Sequence, residues 1–222
     1  MTATVEAAAR CGQECRATAR RDGVVPALHR LNAVLSPDAP PRGASGHALV
    51  PVDAAPLPGG GGATAPGLAL SAPDPDAQAG VGRASAHWRL GLAWVRLGAS
   101  EGLRDLVLVR LGERHTEGAP LLMKQLVKGA LADVLTEHLE AECVLGEAGT
   151  ERHGTGRHEA AWDEAGRLGR VHDRITRADR ALLRLLGAQG FTLPGPGWEA
   201  HLSELLADVY RERRVVVSPE EA

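Results

Sequence analysis

The sequence predicts a mainly α protein, an antiparallel four-helix bundle preceded by a short helical and loop-rich, partly β region. Three observations predict it. Past residue 85, apolar residues recur at helical spacing through four long segments. Nine of the fourteen prolines, and the run Gly59-Gly60-Gly61-Gly62, fall within residues 37–84. Hydrophobic residues make up 44% of the 222 positions, enough for a sizeable core.

Residues 2–21 are alanine-rich, with Thr4 placed as a cap, and predict a helix. A second short helix is expected over 25–35, ending before Ser36-Pro37. Within the loop-rich stretch, "HALVPVD" and "GLALS" have the make-up of short strands. Segment 86–113 is apolar on more than one face, as in a helix deep inside a bundle. Segment 120–145 starts at Pro120, a residue favoured in a first helical turn, and carries the stripe Leu122, Leu126, Val127, Ala130, Leu131 and Val134. "GEAGTERHGTG" (146–156) reads as a loop, 157–187 as a third long helix, and 198–213 as a last one. The organisation expected is an N-terminal helical segment (1–36), a remnant of a β region (37–84) and a helical bundle (85–222).

The net charge of −3 gives no general attraction to nucleic acid or anionic membrane. No segment is long and apolar enough to span a bilayer. The N-terminus, MTATVEAAARCGQECR, lacks the apolar run of a secretion signal, and three cysteines are an odd count, so a reducing cytoplasm is expected. Cys11 and Cys15 lie four apart on one helix face, with no second pair at zinc spacing, and are expected as small buried residues.

The stretch "ERHTEGAPLLMKQLVKGALADV" (113–134) joins one helix to the next through a tight turn, with Arg114, Gly118 and Gln125 in fixed register. Together with its surroundings it resembles the C-terminal domain of acyl-CoA dehydrogenases. Those enzymes carry Arg-x-x-Phe-Gly at a helix end, a Gln seven residues after that Gly, then Leu-Ala-acid-Met. Here the residues are Arg114, Glu117, Gly118, Gln125 and Leu131-Ala132-Asp133-Val134, without a gap. "LGASEGL" (97–103) is similar to the family's small-residue segment. Gly187-Ala188-Gln189-Gly190-Phe191 is similar to its Gly-Gly-x-Gly-Tyr/Phe turn, and "LLADVY" (205–210) to its Leu-Tyr-Arg-Asp-Ala segment. The resemblance covers residues 86–210. It implies that Arg114 and Gln125 meet FAD, with Gly187, Ala188 and Gly190 contributing across a subunit interface. An arginine fork suits a pyrophosphate, and glycine turns let backbone amides approach phosphate. Without a cofactor, Arg114 reads as a cation at a helix C-terminus and Gln125 as a surface residue.

The sequence departs from that family in one direction. Glu117 stands where the family has phenylalanine and places a carboxylate beside the expected phosphates. The family's catalytic base falls in Tyr-Glu-Gly-Thr after the last helix, whereas this chain reads "VYRERRVVVSPEEA". In members that carry the base early in the long helix, the corresponding position is Trp88, which cannot abstract a proton. Glu212 and His87 are the remaining candidates for a base, and His87 points about 100° away from Trp88 on a helix. The 85 residues before the bundle are fewer than the family uses to wall its flavin and acyl pocket.

Elsewhere, Arg167, Arg170, Arg174, Arg177, Arg180 and Arg184 fall on one helix face. Asp133, Glu137 and Glu140 of the preceding helix have matching spacing, so inter-helix ion pairs are expected ahead of nucleic-acid contact. His153, His158, Glu159 and Asp163 surround a loop without an i, i+4 His pair and are expected to bind no metal. Ser100 and Ser203 have no neighbouring His/Asp arrangement in the sequence and are not expected to act as nucleophiles. The expectation is thus an acyl-CoA-dehydrogenase-like protein of the flavin-linked class, a degenerate or partner subunit lacking the usual base. It would form homo-oligomers, or hetero-oligomers with a fuller dehydrogenase subunit, near acyl-CoA or an acyl carrier protein. The alternative is an active FAD enzyme with a relocated base.

Overall fold

The computed structural model describes residues 2–51, 63–65, 67–74, 82–150, 157–192 and 195–211. Two N-terminal helices, α1 (Thr2–Asp22) and α2 (Val24–Leu35), precede a small sheet of β1 (Leu49–Pro51), β2 (Ala63–Ala65) and β3 (Leu68–Leu70). Then come α3 (Ala86–Glu113), a two-residue hairpin of β4 (His115–Thr116) and β5 (Ala119–Pro120), α4 (Gln125–Thr150), α5 (Arg157–Leu186) and α6 (Pro196–Tyr210). The protein is mainly α. The expected strands in "HALVPVD" and "GLALS" are β1 and β3, paired antiparallel with Leu49 opposite Leu70.

Helix α3 touches all five other helices. Its sequence explains why. Trp88, Leu92, Val95 and Leu206 of α6 share one core cluster with Cys11, Cys15 and Leu28 of α1 and α2. Leu90, Ala93, Trp94 and Leu97 share a second with Leu145 of α4 and Ile175 of α5. A helix apolar on most sides must be covered on most sides, because each exposed leucine forgoes roughly 1.5–3 kcal/mol of burial. Successive helices run antiparallel from α3 onward. Ser100 meets His138 of α4, Arg174 of α5 meets Glu137 of α4, and Arg180 of α5 meets Glu204 of α6.

The N-terminal helices belong to this packing. Arg16 of α1 forks onto Glu101 of α3 (2.6 Å) and Glu142 of α4 (2.7 Å), and its guanidinium lies 5.3 Å over the Trp94 ring. Helix α2 begins after Gly23 without a side-chain cap of its own. Its first amide, at Val24, donates to the Glu199 carboxylate of α6 at 2.9 Å, which satisfies a donor that a helix start otherwise leaves orphaned. Cys11 and Cys15 are buried, with sulfurs 3.8 Å apart.

Several boundaries differ from expectation: α1 starts at Thr2, which puts Thr4 inside the helix and not at its cap, and α6 spans Pro196–Tyr210 where 198–213 is expected. Pro120 does not open a helix: it ends the hairpin, with ψ 142, and α4 starts at Gln125 after a 3₁₀ turn over Leu121–Met123. The hairpin takes it because Glu117 and Gly118 both have positive φ (52° and 79°), the backbone a two-residue hairpin turn demands. Helix α4 also continues to Thr150, through residues that read as a loop.

The contact between α1 and α3 depends on two glycines. A Cβ on Gly98 would lie 2.1 Å from the Arg16 carbonyl oxygen, and one on Gly102 2.6 Å from that of Arg20. Both obstacles are backbone, so no rotamer change relieves them. Gly112, in the same helix, has open space around it. Gly98→Ala is therefore expected to destabilise the fold by about 2–3 kcal/mol in urea denaturation, despite the gain in helix propensity. Gly112→Ala should be neutral or stabilise by up to ~1 kcal/mol, and equal effects of the two would contradict this account of the packing.

Candidate functional site

The hairpin corner is built by α3 ending at Arg114. The Arg114 amide bonds to the Arg110 carbonyl, and the Arg114 carbonyl accepts from Leu121 at 2.7 Å, closing the turn. Arg114, Glu117 and Gly118 are exposed, as is Gln125 at the start of α4. Glu117 accepts from Lys124 Nζ at 2.6 Å, so a lysine neutralises the carboxylate that departs from the family pattern. The turn after α5, Gly187–Phe191, lies at the same end of the bundle, since Leu186 shares a core cluster with Leu111 of α3 and with Leu121 and Leu122. Gly187 (φ 61°) and Ala188 are exposed, whereas Gly190 is buried. The corner thus offers an arginine, an amide and two tight turns on one end of the bundle, all but Gly190 open to solvent.

The positions considered for a base are placed differently. Trp88 is 1% exposed. Its indole N–H donates to Asn32 Oδ1 of α2 at 2.9 Å, and its ring meets that of Tyr210 with centroids 4.4 Å apart. The Tyr210 hydroxyl accepts from the Leu49 amide and donates to the Pro41 carbonyl, fastening the end of α6 to the β region. His87, one residue before Trp88, is exposed. Glu212 and His153 lie outside the described residues, as do the side chains of His158, Glu159 and Asp163. Among the described residues no cluster of His, Cys, Asp or Glu has metal-binding geometry.

The fold gives Ser100 neighbours that the sequence does not show, although their hydrogen bonding does not activate it as a nucleophile. Ser100 Oγ lies 2.8 Å from His138 Nε2, and Ser100 is also hydrogen-bonded to Asp179. His138 Nδ1 faces the Arg104 guanidinium, which can only donate, so the imidazole carries its proton on Nε2 and donates to Ser100. Burial and the Arg104 charge hold His138 neutral, with its pKa lowered to about 4. All three groups are buried. Next to them lies Arg96, 0% exposed, in a neutral shell. Its Nε donates to Ser203 Oγ (3.0 Å), Nη1 to His172 Nδ1 (2.9 Å) and Nη2 to Thr176 Oγ1 (2.9 Å). Burial lowers Arg96 to about 10 and pushes His172 well below its ordinary value. Burial likewise raises Asp179 to about 6, although the Ser100 hydroxyl and the Arg96 charge favour its ionised form. This interior is legible only in part from sequence. His138 continues the buried stripe of Val134, Ala141 and Leu145, which marks it as interior, but nothing local pairs it with Ser100.

Two arginines of the α5 stripe pair with α4 as its spacing suggests, and a third turns to α6 instead. Arg174 reaches Glu137 and Glu140 of α4, Arg177 reaches Glu137, and Arg180 reaches Glu204 of α6. These pairs are largely exposed and each adds little stability.

No protein-family model matches the chain, and no curated protein matches it. Among solved structures, the chain is similar to a variant of the Tcur3481-Tcur3483 steroid ACAD, at 21% identity and a TM-score of 0.45. The match covers 55% of this chain and 34% of that one. At that overlap the likeness defines neither a shared family nor a shared activity.

The buried titratable groups oppose one another in acid. His138 and His172 have folded pKa values below their ordinary value, so the stability they contribute is present above about pH 6.5 and is lost as pH falls toward 4. Asp179 has a raised pKa, so the folded state takes up its proton between about pH 6 and 4 and gains stability over that same window. Asp179→Asn removes the second effect alone. The variant should lose stability more steeply than wild type between pH 6 and 4, by on the order of 2–3 kcal/mol across the window. Parallel stability–pH curves would show that Asp179 is not held in its protonated form.

Proposed function

We propose that the protein is a non-catalytic relative of the acyl-CoA dehydrogenases, a partner subunit that assembles through its helical bundle. The observation that carries this reading is the state of Trp88. The family resemblance puts one of its base positions there, and the side chain is fully committed to the core between Asn32 and Tyr210. A carboxylate in its place would be buried among apolar groups rather than presented to a substrate.

The corner supports the same reading. Arg114 and Gln125 would hold the ADP end of FAD, and Gly187, Ala188 and Gly190 would approach its phosphates. On the chain by itself all of these but the buried Gly190 stand open to solvent, without the enclosing wall a cofactor requires. A second chain, whether another copy or a fuller dehydrogenase subunit, would supply it. Helix α4 carries a face suited to such a contact. Ala132, Leu135, Leu139 and Cys143 follow one another at helical spacing and are exposed, with Leu135 at 45% and Leu139 at 53%.

Light scattering of the purified chain should give a dimer or larger species at micromolar concentration. Leu135→Glu/Leu139→Glu should shift it toward the 23.3 kDa monomer with its helical content unchanged. A wild-type chain that runs as a clean monomer would contradict assembly through this face.

A further inference from the structure

Between α5 and α6, closed at one end by the turn over Gly187–Phe191, lies a cleft of about 410 Å³. That volume is within the range of small-molecule sites. Leu183, Phe191, Trp198 and Ala200 form its apolar wall, and Thr192, His201 and Glu204 are among its polar lining. Asp179 also lines it, and among the described residues Asp179 Oδ1 is the buried side-chain oxygen or nitrogen with no hydrogen-bond partner. Leaving a buried acceptor unpaired is costly, and more so when it is ionised. Arg96, whose charge acts on Asp179, has committed its guanidinium to Ser203, His172 and Thr176. The rim cation Arg180 is neutralised by Glu204. The cleft therefore combines an apolar, partly aromatic wall with a polar one that holds one under-used carboxylate.

We infer that this cleft binds a small amine with an apolar body, its ammonium group bonded to Asp179 and its body against Phe191 and Trp198. A charged donor satisfies the orphan oxygen more strongly than a neutral one. The aromatic faces of Phe191 and Trp198 also favour a cation in reach of them. Phe191 is 69% exposed, a large apolar side chain standing at the cleft edge, where an occupant would cover it. The inference is independent of the acyl-CoA dehydrogenase reading and does not use Arg114, Gln125 or Trp88.

Three isosteric probes test it: 2-phenylethylamine, 2-phenylethanol and propylbenzene, titrated into the full chain and followed by amide and indole ¹H–¹⁵N shifts. The amine should shift Leu183, Phe191, Thr192 and the Trp198 indole saturably, and bind about tenfold more tightly than the alcohol. Asp179→Asn should weaken the amine by about tenfold and leave the alcohol unchanged. Should that variant fail to fold, Phe191→Ala, at an exposed position, should still weaken the amine severalfold. Equal binding of all three probes, shifts that map elsewhere, no saturable binding of the amine, or an affinity unmoved by either substitution would overturn the inference.

Discussion

Helix α3 has to be covered on nearly every side, and the rest of the fold follows from how that is done. Trp88, Leu92 and Val95 point to one set of neighbours, Leu90, Trp94 and Leu97 to another, and Leu103, Val107 and Leu111 to a third. No single sheet or helix pair can cover three faces. Helix α1 gets close enough to seal one of them because Gly98 and Gly102 remove the side chains that would keep the backbones apart. Helices α4, α5 and α6 close the others. The antiparallel order of the bundle follows from the short connection at the hairpin corner and the turn over Gly187–Phe191, which return the chain along the helix it has just left.

Covering α3 so completely also encloses polar groups, and they are handled in two ways. Arg96 is held by neutral acceptors alone, so its charge stays while its solvation is replaced by hydrogen bonds it donates to three residues on two helices. His138 and His172 instead give up their charge. Asp179 falls between: its Oδ1 has no partner, and its pKa is raised. That incomplete accommodation sits where the interior opens into the cleft between α5 and α6, whereas the fully satisfied groups lie away from it. Unsatisfied polar atoms in an otherwise well-paired interior are the places where a ligand has something to gain.

Helices α1, α2, α3, α5 and α6 are legible within a few residues, because alanine-rich composition marks α1, Pro37 follows α2, and apolar spacing ended by Gly187 marks the helices past residue 85. The hairpin at 115–120 is not. Its signal is a positive-φ pair, and Glu117 masks one half of it, since glutamate seldom takes that backbone. The end of α4 was missed for the opposite reason: glycine and threonine at 146–150 resemble a loop but are carried as helix. Trp88, read as a residue unable to act as a base, has a structural role that only α2 and α6 reveal, through Asn32 and Tyr210. The contacts around Ser100 join residues 38 and 79 positions apart, which no local spacing rule connects. What the sequence could carry was the Arg114–Gln125 register, and the family resemblance that rests on it supplies the functional reading.

The proposed function is that of a non-catalytic relative of the acyl-CoA dehydrogenases, with Trp88 held in the core. It is tested most directly by following the oxidation of a series of saturated acyl-CoA thioesters with added FAD and an artificial electron acceptor. The account predicts no turnover above the protein-free rate, because Trp88 offers no base and the corner does not enclose a flavin by itself. Saturable, protein-dependent formation of the unsaturated thioester, abolished by Glu212→Gln or His87→Ala, would contradict it and establish a working enzyme with a relocated base.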